Sequence, residues 1–64
     1  MIGKTIHRYK IMGNINNRVV LAHNPKAVEP WVVWWLDSNG DPYSGSYYKS
    51  RDSAVKEFIS RSFG

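Results

Sequence analysis

Cysteine is absent from this chain, which excludes a disulfide framework and any thiol chemistry. Long hydrophobic runs are missing too. The longest is the six-residue Trp31-Val32-Val33-Trp34-Trp35-Leu36, far too short for a membrane span. No apolar segment follows Met1-Ile2-Gly3-Lys4 to serve as a signal peptide, so the expectation is a soluble, cytoplasmic protein without a membrane partner. Acidic residues are sparse, five against nine Lys and Arg, giving a formal charge of +4. That balance favours polyanionic partners such as nucleic acid. Repeats, low-complexity stretches and linkers are also lacking, so 64 residues make one small domain, 1–64.

The chemistry of catalysis is poorly supplied. There is no Gly-rich phosphate loop of the usual spacing. Glu29, Asp37, Asp41, Asp52 and Glu57 fall mainly in turns or on the outer side of a helix, where solvated charge is the ordinary explanation. His7 and His23 meet across a hairpin in the simplest register, but a third zinc ligand is not in evidence. The expectation is a binding protein, with no enzymatic activity, no metal and no cofactor.

What is present is aromatic and apolar patterning. The run at Trp31 carries all three tryptophans and is apolar at every position, whereas a half-buried strand alternates. Such a strand is covered on both faces. One helix covers only one of them, so the second face needs the chain itself, another copy or a ligand.

The remaining elements follow from turn chemistry. Positions 5–12 read as a first strand, Gly13-Asn14-Ile15-Asn16-Asn17 as a turn, and 18–23 as the returning strand. A loop symmetric about Ile15 pairs Ile11 with Val19, Tyr9 with Leu21 and His7 with His23. Lys4, Arg8, Lys10 and Arg18 then share the opposite, basic side. Asn24-Pro25 and Glu29-Pro30 bound a surface loop, in which Ala27 and Val28 are available to fold over a tryptophan. Positions 31–37 and 43–49 form a second hairpin about Asn39-Gly40, in one of two registers. One pairs Trp35 with Ser44 and Trp31 with Tyr48; the other pairs Val33 with Tyr47 and Trp34 with Ser46.

Ser50 caps a C-terminal helix whose inner stripe is Ala54, Val55, Phe58, Ile59 and Ser62, with Gly64 at its end. Asp52 with Lys56 and Glu57 with Arg61 stand i,i+4 on the solvent side. The expected fold class is α+β: a four-stranded antiparallel meander with one C-terminal helix packed on one face, β-β-β-β-α.

The segment from Trp31 to Pro42 resembles the central hairpin of the arm-type, AP2-like DNA-binding domain of conjugative-transposon integrases. The continuation from Tyr48 to Phe58 is similar to the last strand and helix start of that domain and of the plant AP2 domain. The resemblance implies a three-stranded sheet laid in a DNA major groove with the helix behind it. Of the arginine-rich strand ends that read bases there, only Lys49 and Arg51 have counterparts here.

Two functions follow. The first is nucleic-acid, most simply DNA, binding by a basic and aromatic sheet face. Lys4, Arg8, Lys10 and Arg18 would neutralise phosphates, while Trp31, Trp35 and Tyr47 stack on bases or groove walls, and the resemblance adds Lys49 and Arg51 to the nucleic-acid-binding set. The second is a small protein-binding inhibitor or adaptor of the mobile-element type. It would use the same aromatics as anchors, with a homodimer as a variant.

Overall fold

The computed structural model describes residues 3–63. Gly64, expected to end the helix, lies outside them. The elements in chain order are β1 (Thr5–Ile6), β2 (Tyr9–Ile15), β3 (Val19–His23), β4 (Trp31–Leu36), β5 (Pro42–Tyr48) and α1 (Arg51–Phe63). The strands form one antiparallel sheet in the order β1-β2-β3-β4-β5. The α+β meander with a C-terminal helix is therefore as expected, but with five strands and not four.

The extra strand comes from a tight turn at His7-Arg8, which breaks the expected strand 5–12 into β1 and β2. Both turn residues take the left-handed conformation, at φ 51 and φ 71. Hairpins of two-residue loops demand this backbone, but His and Arg adopt it at a cost. No glycine or asparagine announces the turn, so period-two alternation hides it. Replacing Arg8 by glycine relieves that cost, less the extra freedom glycine gives the unfolded chain. The expected gain is about 0.5–1 kcal/mol in urea unfolding, without loss of the His7 side chain.

The first long hairpin turns at Asn16-Asn17, again with both residues at positive φ, and not across the whole of 13–17. The Asn14 Nδ2 donates to the Asn17 Oδ1 and the Asn17 backbone amide donates to the Asn14 Oδ1, which together fix it. The register is Ile15↔Val19, Asn14↔Val20 and Gly13↔Leu21, then Ile11↔Ala22 and Lys10↔His23 after a bulge at Met12. The expected pairs of Ile11 with Val19 and His7 with His23 are thus replaced. The bulge has a packing reason. It sends Ile11 to one face and Gly13 to the other, where a Cβ on Gly13 would stand 3.1 Å from the Phe58 ring.

The second hairpin keeps the first of its two candidate registers at its open end, with Trp31↔Tyr48 and Val33↔Ser46. A bulge then shifts it to Trp35↔Tyr43, leaving Ser44 and Gly45 opposite Trp34. At the closed end Asp37 organises the loop: its Oδ1 accepts from the Asn39 and Asp41 amides, both at 2.9 Å.

Each face of β4 has its own cover. Helix α1 packs on Val19, Leu21 and Val33 through Ala54, Val55 and Phe58, with Trp31 and Trp35 at its flanks. The other face holds Ile11, Val20, Ala22, Val32, Trp34 and Leu36, against Ile6 and Tyr9. Here the chain covers itself by rolling. β2 and β5 are three strand spacings apart, about 14 Å on a flat sheet, yet the Tyr9 and Tyr47 rings meet at 5.9 Å. Both rings and that of His7 enclose the Trp34 indole, which is 4% exposed. The loop plays no part in this, since Val28 is 87% exposed. Burial, then Tyr47 and Glu29, push the Tyr9 phenol above its ordinary pKa. As a proton donor it reaches the Glu29 carbonyl at 3.0 Å.

Helix α1 is capped as expected, the Ser50 hydroxyl accepting from the Ser53 amide at 3.2 Å. Its inner stripe differs from the expectation at two positions. Ile59 turns outward, 48% exposed. Arg61, assigned to the solvent side, turns inward onto the second bulge. It pairs with Glu57 at 2.7 Å and donates to the carbonyls of Val33 and Ser44 and to the Ser46 hydroxyl. Its guanidinium also lies 5.5 Å from the centre of the Trp35 ring. A bulge exposes backbone acceptors, and arginine is the side chain whose fork satisfies several of them together.

Candidate nucleic-acid interface

The registers place Thr5, Lys10, His23, Trp31 and Tyr48 in one row across all five strands, on the helix side and at one end of the sheet. Directly paired residues of antiparallel strands point to the same face, so these side chains are neighbours. Within the row His23 stacks on Trp31, ring centres 4.0 Å apart and planes inclined by 26°. Both rings are half-buried, and Lys10 is exposed.

The connections that leave this end of the sheet are basic. Lys26 lies in the loop from β3 to β4; Lys49 and Arg51 lie at the passage from β5 into α1. Arg8 stands on the β1–β2 turn, two positions before Lys10. All are exposed, five cations against the carboxylates of Glu29 and Asp52. Lys26 Nζ was not singled out by the sequence because a lone loop lysine carries no pattern. Its backbone amide is held by the Asn24 Oδ1 at 3.0 Å.

The other expected site residues are dispersed. Arg18 sits at the opposite end, its carbonyl accepting from the Leu36 amide beside the Asp37–Asp41 loop. Lys4 lies along the β1 edge, where its carbonyl accepts from the Ile11 amide. Trp35 is on the helix face but at the Arg18 end, under Arg61. Tyr47 is on the rolled face with Tyr9. The stripe Lys4-Arg8-Lys10-Arg18 is therefore not one surface. His7 and His23 are also separated: His7 meets Trp34 on the rolled face, whereas His23 meets Trp31 on the helix face.

A shallow cleft at the Arg18 end is lined by Asn17, Arg18, Leu36, Asp37, Ser38, Asn39 and Gly40. The carboxylate of Asp37 there is engaged by backbone amides. The cations are thus concentrated at the end bearing His23 and Trp31, five against two carboxylates, while Arg18 stands with Asp37 and Asp41 at the other. Among the described residues no three His, Cys, Asp or Glu side chains come together in a way that would hold a metal ion. Nor is any helix there long and apolar enough to cross a membrane. No protein-family model, curated protein or solved structure matches the chain.

Proposed function

We propose that the protein is a non-enzymatic nucleic-acid-binding module, with DNA the simplest ligand, that engages the polymer through its basic end. The observation that carries this reading is the company kept by the His23–Trp31 stack: Lys10 in its own row, and Lys26, Lys49 and Arg51 on the adjoining connections. Clustered cations bind phosphates by releasing counterions, and aromatic rings beside them add sequence-tolerant contacts.

Salt dependence tests it. Four phosphate contacts give an expected loss of affinity of about 50- to 150-fold between about 50 and about 200 mM salt. Exchanging Lys10 and Lys49 for glutamate is expected to abolish binding in a fluorescence-anisotropy titration. Arg18→Glu, at the other end, is expected to leave most of it. A loss of log affinity from Arg18→Glu half that of the double exchange, in proportion to the two charges changed against four, would mean that net charge alone is being read.

A second reading, a protein partner or another copy of the chain, is favoured by β5. It is an edge strand with exposed Tyr43 and Tyr47, and an exposed edge is a template for pairing. Complex formation that survives the double charge reversal and changes little with salt would support it.

A further inference from the structure

Resting on the nucleic-acid reading, we infer that this end takes an extended single strand, with an unpaired base continuing the His23–Trp31 stack and its phosphates on Lys10, Lys49 and Arg51. The argument begins with what the sheet denies to a duplex. Reading a groove requires an open face that carries hydrogen-bonding side chains to base edges. The face away from α1 carries Ile11, Val20, Ala22, Val32 and Leu36, all buried, and it is closed by rolling around Trp34. The other face lies under α1 through the middle of β3 and β4. Neither offers a flat, polar surface that fits a groove.

The end row offers something different. Two flat rings are already stacked there, neither fully buried, with an exposed lysine beside His23 in the next strand. A third flat ring extends such a pile on the His23 side, where the neighbour in the row is the exposed Lys10, whereas Tyr48 borders Trp31 on the other. Along a strand only an unpaired base presents its whole face in this way, because inside a duplex both faces are occupied by neighbours and only the two terminal pairs are open. Cations from separate connections then lie to either side of the pile, as a backbone running past it requires.

The experiment compares labelled oligo(dT) and oligo(U) of about 12 nucleotides with a perfect duplex of equal length, on the unaltered protein at low salt. Either single strand is expected to bind about tenfold tighter than the duplex, since stacking of even one base accounts for that ratio. His23→Ala is expected to erase most of the preference, and His23→Tyr, which restores a ring, to recover it. Circular dichroism checks that both variants fold, and the preference of the unaltered protein stands as a test without them. A duplex bound as tightly as the single strands overturns this inference and leaves the nucleic-acid reading intact. Absence of binding to either polymer at low salt overturns both.

Discussion

Arg61→Ala is expected to cost about 2–4 kcal/mol in urea unfolding, a large part of the roughly 3–10 kcal/mol available to a chain of this size. The side chain is 10% exposed and makes four polar contacts. Alanine removes them all and leaves the Val33 and Ser44 carbonyls without this donor at the bulge. Its contact with the Trp35 ring goes as well. Lysine keeps the charge but not the fork, so Arg61→Lys is expected to recover less than half of the loss. The ion pair itself is the smaller component. Glu57 is 34% exposed at its side chain, and Glu57→Gln is expected to cost only about 0.5 kcal/mol, because solvent screens the pair. If Glu57→Gln and Arg61→Ala cost the same, the backbone carbonyls contribute nothing and the bulge does not need its anchor.

That anchor marks where reading from sequence reaches its limit. Ser50 as cap, Asn39-Gly40 as turn and Trp31–Leu36 as a strand covered on both faces are local signals, and each is found where expected. The i,i+4 spacing of Glu57 and Arg61 is local too and gives the pair correctly. It does not say which way the pair faces, because the acceptors that draw Arg61 inward arise from a bulge in β5. The His7-Arg8 turn is hidden for a related reason. Nothing in the residue types asks for positive φ; the two-residue loop that joins β1 to β2 demands it. The missing cover for β4 is answered by the backbone too. A flat sheet leaves its second face open, and this one is closed by two bulges and a roll that place Tyr9 and Tyr47 together. The candidate site is legible to a similar degree. Lys10, Lys49, Arg51 and Trp31 are brought to one end by strand register, which also takes Arg18 and Trp35 to the other.

Gly45→Ala is expected to destabilise the protein by about 3 kcal/mol, as much as overpacking usually costs. The φ of Gly45 is outside the left-handed region, so the position demands space and not an unusual backbone. A methyl group there would stand 2.5 Å from both Cδ1 and Nε1 of Trp34, well inside contact distance. The indole can retreat only by displacing its neighbours. His7, Tyr9 and Tyr47 rings surround it at 6.0, 5.7 and 6.4 Å between centres. Either the ring leaves its rotamer or β5 moves outward, and each opens the rolled face to water. Tryptophan emission is therefore expected to shift to the red along with the loss of stability. A smaller ring separates the steric cause from a backbone one. In the Trp34→Phe background the same alanine has room, and the added cost should fall below about 1 kcal/mol, a coupling of the size seen between residues in contact. Equal costs in the two backgrounds would place the strain in the β5 backbone beside Ser44, at φ 50, and not in the packing of the indole.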